Sequence, residues 1–238
     1  MALPLPFPDP AEDFRCLQPR DPAELNGVIR ETVAVRMVRI WDHSVRYVYS
    51  RIPGFGRESR ASGVYWSAHP NPLFVILWAE FLPTRRFHAL AGAPAPMPGQ
   101  VRGGGCLNLR FSLSLHTPMP DLPKPASVRV SLYVERAQPV KSLLAIWDES
   151  RNDFARLMQA ASLTACFGDL MEAQPEPYAL DRYELAHSRK HCISLCREFE
   201  HINEATEVVT PILALAKIYH AIQGVIRGDT TRMMMLRS

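Results

Sequence analysis

Apolar residues recur along this chain with two different periods, and the change from one to the other organises it. From Pro22 an i, i+4 series of Ile29, Val33, Met37, Trp41 and Val45, with Ile40, Val48 and Ile52 filling the same side, predicts a helix from Pro22 to about Tyr49. Its last part, Val45 to Arg51, also alternates, so the helix could instead stop near Asp42 or His43. The start is signalled by Asp21-Pro22-Ala23-Glu24: Asp at the N-cap, Pro at the first helical position and Glu at the third. Asp9-Pro10-Ala11-Glu12 repeats that signal for a short helix ending near Cys16.

Pro53-Gly54-Phe55-Gly56 ends the helical pattern, and Arg57 to Gly63 reads as an exposed loop before a short strand at Val64 to Ser67. Asn71-Pro72 reads as another cap and first turn. The segment Leu73 to Leu90 is predicted as a buried helix kinked at Pro83, although Phe74 to Trp78 alone would serve as a central strand. Ala93 to Gly105 is rich in Pro and Gly and reads as a linker or mobile loop.

The period then becomes two. Leu107, Leu109, Phe111, Leu113 and Leu115 alternate with polar residues, as do Val128, Val130, Leu132 and Val134, which predicts an antiparallel hairpin. The four prolines between Thr117 and Ala126 give it an irregular tip. From Val140 onward three amphipathic helices are predicted. Leu143, Trp147, Phe154, Leu157, Met158 and Ala161 mark the first; Leu185, Cys192, Cys196 and Phe199 the second; Ile212, Leu215, Tyr219, Ile222 and Ile226 the third, with Gly228 as its stop.

The expected fold is therefore α+β and mainly helical: a long helix in the N-terminal half, a central antiparallel hairpin or small sheet, and a C-terminal three-helix bundle onto which the hairpin packs. The expected organisation is a Pro-rich arm with a short helix at 1–20, a basic helical region at 21–92, the linker at 93–105, and the hairpin with its bundle at 106–238, this last part forming either its own domain or one domain with 21–92.

Composition sharpens this picture. A chain of 238 residues, 47% of them hydrophobic, can bury a core without disulfides or metal. The longest apolar run, Leu73 to Trp78 and on past Glu80 to Leu82, is about half of the roughly 20 residues a membrane-spanning helix needs, so no membrane segment is expected. The N-terminal prolines oppose a signal-peptide helix. Five cysteines, Cys16, Cys106, Cys166, Cys192 and Cys196, form an odd, scattered set without CxxC pairs, which favours reduced thiols in a cytoplasm.

Charge is uneven. Residues 25–139 hold 14 Lys and Arg, 13 of them Arg, against 6 Asp and Glu; residues 140–238 hold 11 against 13, within an overall +3. On the first long helix Arg36, Arg39, His43 and Arg46 fall in one stripe opposite the apolar side, followed by Arg51, Arg57 and Arg60, with Tyr47, Tyr49, Phe55, Tyr65 and Trp66 interleaved. Arginine forks pair with phosphate oxygens and aromatic rings stack on bases, so this composition points to nucleic acid, DNA or RNA. A solvated helix face, or pairing with acids of the C-terminal half, accounts for the same stripe.

A second pattern lies at Glu184, His187, His191, Glu198 and His201, which fall on one face of the predicted second bundle helix and contain two Glu-x-x-His motifs. Those motifs sit about 21 Å apart on one helix at 1.5 Å per residue, without a partner helix, so a surface polar face explains them equally. Cys192 and Cys196 read as core residues of that helix. No GxSxG elbow, HExxH, GxGxxG or GxxxxGK[ST] occurs. Gly54-Phe55-Gly56 and Gly103 to Gly105 are the only glycine clusters, and the latter precedes a strand, the wrong order for a dinucleotide loop.

The function expected is non-enzymatic nucleic-acid binding, alone or within a nucleoprotein assembly, through Arg36, Arg39, His43, Arg46, Arg51, Arg57, Arg60, Tyr65 and Trp66, with no cofactor and no membrane. The alternative is a protein-protein adaptor or inhibitor that docks an acidic partner or self-associates. A metal-dependent enzyme using His187, His191 and Glu198 stands third.

Overall fold

The computed structural model describes residues 46–52, 59–68, 74–83, 107–116, 127–135, 137–167, 192–199, 202 and 205–237. They form an α+β fold. The strands are β1 (Ser59–Ala68), β2 (Phe74–Pro83), β3 (Leu107–His116), β4 (Ser127–Glu135), β5 (Thr164–Phe167) and β6 (Cys192–Phe199); the helices are α1 (Ala137–Glu149), α2 (Arg151–Ala160) and α3 (Ala205–Arg227), and a 3-10 helix follows at Thr230–Leu236. Residues 46–51 form a further helical segment. The three-stranded antiparallel ladder β4-β6-β5 extends through β3, β2 and β1 into a sheet ordered β1-β2-β3-β4-β6-β5.

The predicted hairpin is present as β3 and β4, with Leu109 facing Leu132 and Phe111 facing Val130 across the ladder. Because side chains alternate along a strand, one face carries Val130, Leu132 and Val134 from β4 and Ile193, Leu195 and Phe199 from β6. All six belong to the core, together with Ala165 of β5, Val140, Leu143 and Ile146 of α1, Phe154 of α2, and Val208, Ile212, Leu215, Tyr219 and Ile222 of α3. Helices thus cover that face.

α3 is the helix predicted at Ile212 to Ile226. Glu207–Arg227 is long and apolar enough by composition to cross a membrane, but 72% of its apolar window is buried within the protein. A helix that is apolar nearly all round belongs in a core, and here it supplies one. It ends as predicted: Gly228 takes φ +75°, its N–H donates to the Val225 carbonyl, and the Asp229 N–H donates to the Gly224 carbonyl. This is the Schellman arrangement, in which a residue without Cβ meets no steric penalty. The 3-10 helix then folds back, so that a Cβ on Gly224 would lie 2.6 Å from the Asp229 carbonyl oxygen.

The predicted first bundle helix is divided at Ser150, whose φ of −131° and ψ of 34° separate α1 from α2. α2 closes with the same Schellman pattern as α3, Ser162 N–H to the Gln159 carbonyl and Leu163 N–H to the Met158 carbonyl, but with Ser162 rather than glycine at φ 51°. The turn delivers the chain straight into β5.

Three expectations are corrected. Leu73 to Leu90 does not hold a kinked helix: Phe74–Pro83 is strand β2, paired on both sides, and Pro83 closes the strand. A continuous apolar run carries no period, so pairing rather than sequence decided it. The second bundle helix is replaced over its C-terminal half by β6, so the three-helix bundle is not formed; α1 and α3 instead pack on the sheet. Cys192, Cys196 and Phe199 fit helical spacing, but Ile193, Leu195 and Phe199 also alternate, and the ladder with β4 selects that period. The loop expected to reach Gly63 is also strand, since β1 begins at Ser59 and a bulge between Ala61 and Val64 breaks its alternation. The two N-terminal helix starts, the 93–105 linker and the 117–126 tip lie outside the described residues.

Candidate functional site

The helical segment at 46–51 is anchored by one side. Val48 is 1% exposed and Ile52 is fully buried, one turn apart, and both belong to the core. Arg46, Tyr49, Ser50 and Arg51 are exposed and Tyr47 is half-buried. The Arg51 guanidinium lies 5.2 Å from the centre of the Tyr47 ring, a cation–π contact between residues one turn apart. The Ser50 hydroxyl donates to the Tyr47 carbonyl at 2.7 Å. Two exposed arginines and the exposed Tyr49, with the half-buried Tyr47, therefore sit on a fixed helical turn.

Arg60, Tyr65 and Trp66 fall on β1, at one end of the strand order, where Arg60 faces Leu82, Tyr65 faces Trp78 and Trp66 faces Leu77. The register runs Trp66 through Leu77, Leu113 and Val128 to the buried Phe199, and Tyr65 through Trp78, Ser112 and Arg129 to Glu198. Tyr65 thus shares its row with charged residues, and Trp66 shares its row with the core. Arg36, Arg39, His43 and Arg57 lie outside the described residues.

Of the expected metal-binding face only Glu198 is described, and it is on strand β6, where the helical spacing to His201 no longer holds. Its carboxylate accepts from Arg129 Nε at 3.1 Å and from a terminal guanidinium nitrogen at 2.5 Å. Glu184, His187, His191 and His201 lie outside the described residues, and among those described no three His, Cys, Asp or Glu side chains group as a metal site would require.

Sequence reasoning missed a second polar group on the sheet face that points away from the helices. Cross-strand pairing makes one row of Ser131, Cys196 and Thr164, and the next of Tyr133, Ser194 and Cys166. All but Thr164 are buried, Ser131 and Ser194 completely, and among the described residues the hydroxyls of these two serines find no hydrogen-bond partner. The two sulfurs are in contact, Sγ to Sγ 3.7 Å, and Thr164 donates to the Cys196 carbonyl at 3.2 Å with its oxygen 3.8 Å from the Cys196 sulfur. The contact with Cys166 holds the Cys196 thiol below its ordinary value against the opposing effect of burial, with the Arg129 charge also favouring the thiolate. The same contact, then burial, pushes Cys166 up. Only the pairing of β5 with β6, which sequence spacing did not reveal, brings these residues together.

A third polar group interrupts α3. His220 is 4% exposed and Gln223 1%, one turn apart on an otherwise apolar helix. Burial, and then the charge of Arg232, pushes the His220 imidazole down to about 4, with Asp229 opposing. Arg232 Nε is itself 2.9 Å from Asp229.

Comparison with protein-family models, with curated proteins and with solved structures finds no match.

Proposed function

We propose that this protein binds nucleic acid, alone or within a nucleoprotein assembly, through phosphate contacts made by the Arg36–Arg60 region, in the cytoplasm. The observation that carries this reading is the anchored turn at 46–52: Val48 and Ile52 are held in the core while Arg46, Tyr49 and Arg51 are exposed. A cation fixed on a packed helix loses less freedom on meeting a phosphate than one on a loop, and Tyr47 and Tyr49 add ring faces for stacking. The contacts expected are mainly to phosphates, with little preference for sequence.

Fluorescence anisotropy with a labelled single strand and a labelled duplex, at two salt concentrations, tests the proposal. Binding should weaken steeply with salt. Arg46→Ala combined with Arg51→Ala should reduce the logarithmic salt slope on a single strand by about 1.4, roughly 0.7 per phosphate contact, and change folding stability by less than about 0.5 kcal/mol per site. Absence of binding at low salt would sink the reading and favour the alternative, in which the same arginines dock an acidic protein partner.

A further inference from the structure

The observation that reaches beyond nucleic-acid binding is the contact between Cys166 and Cys196. We propose that these two cysteines form an oxidisable dithiol, a site of reversible thiol–disulfide exchange with low-molecular-weight disulfides of the glutathione type. The two sulfurs come from different strands, 30 residues apart in sequence, and are held 3.7 Å from each other by the β5–β6 ladder. Among the described cysteine sulfurs each therefore has the other at hand, and the chain need not close a loop to bring them together.

The chemistry divides between them. Cys196 is the more acidic sulfur, in contact with Cys166 and lying within the field of the Arg129 guanidinium. It is the attacking group: its thiolate adds to one sulfur of the small disulfide, that S–S bond breaks, and one small thiolate leaves. Cys166 then gives up its proton to solvent and attacks the Cys196 sulfur of the mixed disulfide, and the second small thiolate departs. Both cysteine sulfurs are oxidised, one small disulfide is reduced to two thiols, and the products balance.

Access and reversibility follow from position. Cys196 is 3% exposed and Cys166 6%, so exchange requires β5 to lift. β5 has four residues, ends the strand order and, among the described strands, pairs with β6 alone, so it opens locally at less cost than the longer strands beside it that are paired on both sides. The pair is also diagonal: Cys166 faces Ser194, and Cys196 faces Thr164. Diagonal neighbours in an antiparallel sheet stand roughly 7–8 Å apart at Cα, whereas a relaxed disulfide spans roughly 4.4–6.8 Å. Closing the bond pulls the strands out of their regular geometry, so the disulfide is of the strained, easily reduced kind.

The test is to incubate the reduced full-length chain with oxidised glutathione under native conditions, block the remaining thiols, and map the digest by mass spectrometry. The expected result is a crosslinked peptide pair joining Cys166 to Cys196, two hydrogens lighter than the sum of the reduced peptides and restored by mild dithiothreitol. In Cys166→Ser the reaction should stop with glutathione attached at Cys196. In Cys196→Ser, glutathione should attach at Cys166 at least ten-fold more slowly. Recovery of both sulfurs as free thiols, their capture only as separate glutathione adducts, or their pairing with other cysteines would overturn the proposal.

Discussion

Both faces of the β4–β6 ladder hold fully buried residues, and the two are built from opposite chemistry. On the helix side, Val130, Leu132, Val134, Ile193 and Leu195 are fully buried and need nothing but apolar neighbours. On the other side, Ser131 and Ser194 are just as inaccessible, yet their hydroxyls have no partner among the described residues, and they flank a thiol pair and the Arg129–Glu198 ion pair. Burial is therefore a poor guide to what a residue contributes. An apolar side chain gains from leaving water, while a hydroxyl taken from water without a new hydrogen bond costs roughly 1–3 kcal/mol.

The largest effect expected of a substitution that breaks this comparison is on the helix side. Leu132→Ala should lower the unfolding free energy by about 2–5 kcal/mol, read from the denaturant midpoint, because the site is enclosed by α3 and the sheet and cannot collapse fully. A loss below about 1 kcal/mol would mean that the helices do not pack against β4 as described.

A smaller effect comes from the one polar intrusion into the helix layer. The folded His220 takes up its proton only near pH 4, whereas a free imidazole does so near roughly 6.5. The unfolded chain is protonated first as pH falls, so the folded state loses stability between those values and keeps this contribution in full only above the higher one. Asp229, held below the usual carboxylate range first by the Thr231 hydroxyl and then by Arg232, shifts stability in the same direction at lower pH. Unfolding measured from pH 7 to pH 4 should show a loss on the order of 2 kcal/mol attributable to His220, and His220→Gln should flatten that slope. An equal slope in the variant would assign the acid sensitivity elsewhere.

The smallest effect carries the sharpest sign. Ser131→Ala removes a buried hydroxyl without a partner among the described residues, and the unfolding free energy should stay level or rise by up to about 1 kcal/mol. A loss comparable to that of Leu132→Ala would show that the hydroxyl is engaged after all, and would remove the contrast between the faces.

How much of this was legible beforehand depended on whether a segment carried a single period. β3 and β4 alternate cleanly over Leu107 to Leu115 and Val128 to Val134 and were readable as a pair. α3 repeats Ile212, Leu215, Tyr219 and Ile222 at helical spacing and ends at a glycine, so its existence and stop were readable too. β2 offered only an unbroken apolar run, and β6 satisfied both templates at once; in each the wrong element was expected. Of the proposed binding residues, the outward position of Arg46 and Arg51 follows from the burial of Val48 and Ile52, which the spacing had indicated. The strand under Tyr65 and Trp66 was legible in part: Val64 to Ser67 read as strand, but the loop expected to reach Gly63 hid its start at Ser59, and nothing in the spacing indicated its partner β2.

The sequence by itself determined the elements whose side-chain spacing admits one answer, the surplus of arginine in residues 25–139, and the glycine stop at 228. Tertiary structure alone decided which period β6 obeys, which face each of its residues takes, and that Cys166 meets Cys196 across a ladder 30 residues from one side to the other. The reason is physical: local spacing fixes where side chains lie relative to their own backbone, but strand pairing is a bond between distant segments, and only its formation reveals what stands opposite.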